Sequence, residues 1–179
     1  MHVSKLIQIT VLLCVTLFAS VNAAASENTY RLSTDDVISV TVFNEPDLNL
    51  KETKINDDGT ISVPLLGQVN IQGKTVLEVE TLLNELFEKD YLVKPQVSVS
   101  IDEFRPFYIN GEVEKPGSYS FRTGMTVEIA VTIAGGFTER ASKKGIYLTN
   151  EGDNNQRRQV SLDDTVKPGD IITVEESFF

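Results

Sequence analysis

The chain opens on an almost unbroken apolar run, Leu6 to Val21, interrupted by Gln8, Thr10, Thr16 and Ser20. Lys5 precedes it, and small residues follow at Ala23, Ala24, Ala25 and Ser26. A basic start, an apolar centre and a small-residue exit predict a secretory signal peptide, residues 1–23, with Ala25 as the other acceptable cleavage point. The run falls short of the ~20 residues that cross a bilayer. Cys14 sits inside it, after Leu12-Leu13 and before further apolar residues, so it belongs to the apolar centre and is not read as a lipid-attachment cysteine.

Past the signal the pattern changes to alternation. Tyr30–Leu32 and Val37–Phe43 read as strands, the second with Ile38, Val40 and Val42 on one face and Ser39 and Thr41 on the other. Asn44–Asp47 ends it with turn residues. Asn56-Asp57-Asp58-Gly59-Thr60 reads as a hairpin turn between residues 53–55 and 61–63, because Asp-Gly supplies the positive φ of a tight turn. Pro64 and Gly67 break the run before residues 68–71. Over residues 76–90 the period becomes helical. Val76, Val79, Leu82, Leu83, Leu86 and Phe87 form one stripe, with Glu80, Glu85, Glu88 and Lys89 facing away. Thr75 and Glu78 have the spacing of a capping box. Residues 97–101 alternate again.

Pro106 marks a joint. After it, residues 107–113 read as a strand, Glu114-Lys115-Pro116-Gly117 as a turn, and residues 119–121 as the returning arm. A short helix over Thr126–Ala134 stops at Gly135-Gly136. Ile146–Leu148 is a strand, residues 150–155 a polar loop and Val160–Leu162 extended. Pro168-Gly169-Asp170 turns the chain into Ile171–Val174, and Ser177-Phe178-Phe179 ends it. Strands flanking one helix, twice over, predict an α+β protein.

Composition narrows the chemistry. His2 and Cys14 are the sole histidine and cysteine, and cleavage removes both. The remaining chain can form no internal disulfide, no His/Cys zinc site and no His-dependent nucleophile. Loss of Lys5 takes the formal charge from −10 to −11. With no basic stripe along the sequence, such a surface repels nucleic-acid phosphates.

Carboxylates are plentiful, which raises a two-carboxylate glycosidase. Asp35, Asp36, Asp57, Asp58, Asp102 and Glu103 all fall in turns or at strand ends, however, and the chain has no Trp to stack on a sugar. Asp57-Asp58 lacks the ligand spacing of a calcium loop. Gly135-Gly136 follows a helix, where the dipole has the wrong sign for phosphate. The tyrosines at 30, 91, 108, 119 and 147 suit glycan stacking or cross-strand packing, with packing the plainer reading. No catalytic, metal or cofactor residue is assigned. The turns Asp57-Asp58-Gly59 and Glu114-Lys115-Pro116-Gly117 are the candidate functional surface.

Several motifs in order resemble the outer-membrane polysaccharide export family, the Wza-like group. They are Tyr30 through Phe43, with Asp35 where the family has glycine, then Asn56 through Gly67, then Pro95-Gln96-Val97-Ser98-Val99. Gly111 through Tyr119, Met125-Thr126-Val127, Ala134 through Thr138, and Pro168 through Val174 resemble an SLBB (soluble-ligand-binding β-grasp) domain. The resemblance implies a β-rich polysaccharide export domain over 27–104, followed by a β-grasp-like SLBB domain over 106–179. It implies a non-catalytic component of a capsule or exopolysaccharide export machine in the periplasm of a Gram-negative bacterium, associated with the outer membrane. As a short member without a lipid-attachment cysteine or a terminal membrane helix, it is expected to form a homo-oligomeric ring. Its partners would be the polysaccharide, an inner-membrane polysaccharide co-polymerase and a separate outer-membrane pore. An acidic surface would discourage an anionic glycan from sticking. The alternatives are a carbohydrate-binding or scaffolding module without a passage, and a carboxylate-based hydrolase.

Overall fold

The computed structural model describes residues 30–150 and 156–177. The signal segment, most of the polar loop and Phe178-Phe179 lie outside the described residues. Those that are described form ten strands and two α-helices around two hydrophobic clusters, an α+β architecture.

In the first unit β1 (Val37–Val42) is the centre of an antiparallel sheet, β2-β1-β5, with β2 at Leu50–Lys54 and β5 at Val97–Glu103. Its alternation sets the register. Val40 pairs with Val99 and Val42 with Val97, so the apolar residues of both strands share one buried face. Helix α1 (Val76–Asp90) covers that face with Val79, Leu83 and Phe87, all fully buried. The predicted capping box is present. Glu78 N–H donates to Thr75 Oγ1 at 3.2 Å and Thr75 N–H to Glu78 Oε2 at 2.8 Å.

Three expectations need correction. Tyr30–Leu32 is not a strand, although Leu32 is buried and its backbone bonds Lys74 and Gly73. The Asp57–Gly59 turn does not close a hairpin. β2 belongs to the first sheet, whereas β3 (Thr60–Val63) pairs with β4 (Gly67–Asn70) as a separate two-stranded ribbon. The turn is therefore a corner between two sheets, and the true hairpin turn is Pro64–Leu66, with Leu65 at φ 67° and Gly67 at φ 75°. Nor does Glu80 face away. Its Oε1 accepts Val99 N–H at 2.8 Å, and Asn84 Oδ1 accepts Val97 N–H at 3.0 Å. Those amides lie on the outer edge of β5, so α1 covers an edge that would otherwise offer free donors.

The second unit is a mixed sheet in the order β7-β6-β10-β8-β9. Its strands are β6 (Phe107–Gly111), β7 (Gly117–Tyr119), β8 (Ala141–Thr149), β9 (Arg157–Gln159) and β10 (Ile171–Glu176). β6 and β10 run parallel and the other pairs antiparallel. Helix α2 (Val127–Ile133) buries Val127, Ala130 and Val131 against one face, giving the expected β-grasp-like arrangement. β8 is longer than the predicted 146–148, and pairing falls on Arg157–Gln159 instead of Val160–Leu162, since Asp164 organises Ser161 into a turn.

The two units open their central strands with the same turn. Leu32-Ser33-Thr34-Asp35-Asp36 leads into β1, and Val166-Lys167-Pro168-Gly169-Asp170 into β10. In each, the carboxylate accepts the N–H three residues earlier: Asp36 from Ser33 at 2.8 Å, Asp170 from Lys167 at 2.7 Å. Both aspartates are buried, and Ile38 and Ile172 occupy equivalent core positions. The residue before each aspartate is left-handed, Asp35 at φ 69° and Gly169 at φ 82°. This explains why the family pattern carries glycine where this chain has Asp35.

Candidate functional site

The two turns singled out in the sequence lie in different units, and each proves to be tied to its own framework. Asp58 Oδ1 accepts Thr60 N–H at 3.0 Å and Thr60 Oγ1–H at 2.6 Å, and these bonds hold its carboxyl below the ordinary aspartate value. Gly59, at φ 76°, sits where a Cβ would meet Gln72 at 2.5 Å, and its carbonyl accepts Ile71 and Gln72 N–H. Asp57 points into a shallow, open concavity with Lys54, Asn56 and Asp58. In the second turn, Glu114 N–H donates to Gly136 O at 3.0 Å and Lys115 N–H to Ala134 O at 2.8 Å. Tyr119 Oη donates to Lys115 O at 2.5 Å. The turn motif and the Ala134-Gly135-Gly136 motif thus meet in space, and the turn amides satisfy carbonyls at the end of α2. The side chains of Glu114, Lys115 and Pro116 are exposed, as is Gly117.

Where the units meet, the sequence reading missed the main polar cluster. Asp36, fully buried, accepts Tyr30 Oη–H at 2.7 Å, Ser33 N–H at 2.8 Å and Arg105 N–H at 2.8 Å. Arg105 Nη1 lies 3.5 Å from Asp36 Oδ2 and 2.8 Å from Tyr30 Oη. Phe104 packs edge-on against Tyr30 at 5.0 Å and against Phe121 of the second unit at 5.4 Å. One carboxylate thus ties the start of the first unit to the connecting segment Phe104-Arg105-Pro106. A crevice of about 130 Å³ opens beside it, lined by residues from both units, among them Asp35, Arg105, Tyr108 and Gly169. Lys54 Nζ, 2.6 Å from Asp35, has its pKa raised by that hydrogen bond and charge. Among the sequence candidates for acid–base work, Asp36 is a structural anchor. Its signal was available in the chain as the repeated turn before β1 and β10.

Asp170 is the counterpart in the second unit. Its Oδ1 accepts Asn150 Nδ2–H at 2.7 Å, and burial pushes its carboxyl up from the ordinary value against the pull of its donors. On the outer face of the first sheet, Ser39 Oγ donates to Asp102 at 2.5 Å and accepts Glu52 N–H at 3.1 Å, lining an open polar trough with Thr41 and Ser100. Of the tyrosines, Tyr30 and Tyr119 pack on rings, Tyr91 and Tyr108 are exposed, and Tyr147 lies under the Arg157 guanidinium at 3.9 Å. Among the described residues no His, Cys, Asp or Glu group is arranged to hold a metal ion, and no helix is long and apolar enough to cross a membrane.

Comparison with known proteins meets this geometry at both units. Residues 24–102 match the family model described as polysaccharide biosynthesis/export protein, and residues 106–159 match the SLBB domain. The chain thus carries an export domain of that family followed by an SLBB domain. Among its relatives is the EPS I polysaccharide export outer membrane protein EpsA of Ralstonia nicotianae, 27% identical over 187 aligned positions, covering 85% of this chain and 49% of that protein. EpsA of Ralstonia solanacearum is 28% identical over 138 positions, covering 63% and 36%. The exopolysaccharide production protein ExoF of Rhizobium meliloti is 33% identical over 84 residues, covering 46% and 20%. The chain spans about half the length, or less, of these relatives.

Proposed function

We propose that this protein is a non-catalytic component of a polysaccharide export machine, acting in the periplasm in association with the outer membrane. The observation that carries the reading is the export–SLBB order along the chain, together with an alignment over 85% of its length to a relative named for polysaccharide export at the outer membrane. The chemistry agrees with a passive role. Asp36, Asp58 and Asp170 are occupied by backbone donors that hold turns, an arrangement suited to a rigid wall. The units 27–104 and 106–179 act as two domains joined at Phe104-Arg105-Pro106, each with its own core. Copies associate head to tail into a ring through repeated contacts. The exposed side chains of Asp57 and Asp58 at one corner, and of Glu114, Lys115 and Pro116 at the other, are contact positions. A co-polymerase of the inner membrane and a pore of the outer membrane complete the path. Deleting the gene and following the polymer tests the export role. Sedimentation of the purified chain tests the ring, and a strict monomer across micromolar concentrations would remove that part. A glycan-binding module without a passage is the second reading, favoured by the open face of the second sheet with its Tyr147–Arg157 stack.

A further inference from the structure

The sequence has no basic run, and the chain as a whole is acidic, yet the pairing of β8 with β9 assembles a cationic rim. The two strands carry Lys143, Lys144, Arg157 and Arg158 and no carboxylate. All four are exposed. Arg157 and Arg158 pair with Glu175 and Asp164, whereas Lys143 and Lys144 have no ion-pair partner among the described residues. On the two strands the four cations exceed the two carboxylates that pair with them, although Arg158, opposite the buried Leu148, faces the α2 side and the joining loop carries Glu151 and Asp153. The register places Thr149 opposite Arg157, and Gln159 Nε2 donates to Lys144 O at 2.6 Å, so both ends of the rim are fixed. From Lys144 to Thr149 the strand runs about 17 Å at ~3.4 Å per residue.

Charged residues on an edge strand also serve to discourage edge pairing. A second feature goes beyond that role. The Arg157 guanidinium lies over the Tyr147 ring at 3.9 Å, on the sheet face opposite α2, and Tyr147 shares that face with Thr149 and Thr173. Arg157 Nη2 is bonded to Glu175, and the remaining donors of the stacked guanidinium suit a further carboxylate, while the ring edge and hydroxyls beside it suit sugar hydroxyls. A protein partner for an edge strand would need backbone pairing along it. β9 has only three residues, and its cations extend past the paired stretch onto β8.

We infer that the β8–β9 rim, with the Tyr147–Arg157 stack, is a docking surface for an acidic glycan, a polysaccharide segment bearing carboxylates. The inference rests on the export reading and assigns the polymer's charge. It also replaces the expectation of an all-repelling surface. A mobile, reversible contact suits transit, because exposed charge pairs are individually weak and act by sum and by steering.

The test uses the purified full chain and two probes of matched length, polygalacturonate and neutral dextran, in calorimetry at about 50 and about 200 mM salt. The expected result is binding of polygalacturonate only, with affinity falling at the higher salt. Lys143→Glu with Lys144→Glu should weaken it by about tenfold or more, which corresponds to ~1.4 kcal/mol. Arg157→Gln should weaken it likewise, with the far-UV circular dichroism of each variant unchanged. No binding of polygalacturonate, equal binding of dextran, or unchanged affinity in both folded variants would overturn the inference. So would binding of polyglutamate in place of polygalacturonate, which would make the rim a protein-docking edge. If the glycan fails to bind while a deletion strain still traps polymer, this inference falls and the export reading stands. Normal export in the deletion strain would remove the reading itself.

Discussion

Replacing Asp36 by alanine is the substitution with the largest consequence that the structure allows to be worked through. Its carboxylate is fully buried and accepts Ser33 N–H and Arg105 N–H at 2.8 Å each, with Tyr30 Oη–H at 2.7 Å. Alanine leaves two backbone donors without an acceptor, at about 1–3 kcal/mol each. It also removes the carboxylate that lies 3.5 Å from Arg105 Nη1, which adds to that cost. These losses share partners and do not add in full, so the expected destabilisation is about 3–5 kcal/mol, a large part of the ~5–15 kcal/mol that holds a domain of this kind. At a urea slope of ~2 kcal/mol/M, the midpoint falls by about 2 M. The chain has no Trp, so the assay is far-UV circular dichroism in urea, with amide exchange at Ser33 and Arg105 as the local readout. Asp36→Asn keeps one acceptor oxygen and should lose about half as much. An Asp36→Ala protein within about 1 kcal/mol of wild type, with both amides still protected, would refute the anchor.

Asp35→Gly should raise stability by up to about 1 kcal/mol, because it relieves a left-handed backbone at φ 69° and gives up only an exposed pair with Lys54. Urea midpoints check the sign. Gly111→Ala should cost about 3 kcal/mol or more, since the new Cβ would lie 2.0 Å from Val174 O at φ 83° and break the parallel pairing of β6 with β10. Loss of amide protection in β10 would report it. Acid should destabilise the fold on balance. Asp58, Glu78 and Asp164 are held below their ordinary values by backbone and hydroxyl donors, so the stability they contribute is present above about pH 4 and lost as the pH falls through their folded values. Asp170 acts oppositely. Its raised pKa makes its contribution greatest below the ordinary 3.8 and lost as pH rises through its folded value. Asp170→Asn should therefore steepen the loss on acidification, as read from urea midpoints between about pH 6 and about pH 3.

What could be read from the chain was what local patterning controls. The β1 alternation, the α1 stripe with its Thr75–Glu78 box, and the Gly135-Gly136 stop of α2 all follow from nearest-neighbour chemistry. Partner choice did not follow. Asp57-Asp58-Gly59 has the residues of a hairpin turn, but β2 finds its partner in β1, and the corner passes to a second ribbon. Glu80 sits at a solvent-facing helical position, yet a β5 amide without a neighbouring strand draws it inward. The anchor at Asp36 needed a comparison no single window offers. Only beside Val166–Val174 does Leu32–Val40 appear as the same turn used twice. The cationic rim needed a pairing across the polar loop to bring Lys143 and Lys144 beside Arg157 and Arg158.

The central claim, a passive part in exporting a polysaccharide, is tested most directly by where the polymer lies in a strain deleted for this gene. The account predicts loss of polymer outside the cell, with polymer trapped in the periplasm or its synthesis shut down, and recovery when the gene is supplied on a plasmid. Normal amounts outside, in a strain with no second copy, would contradict it.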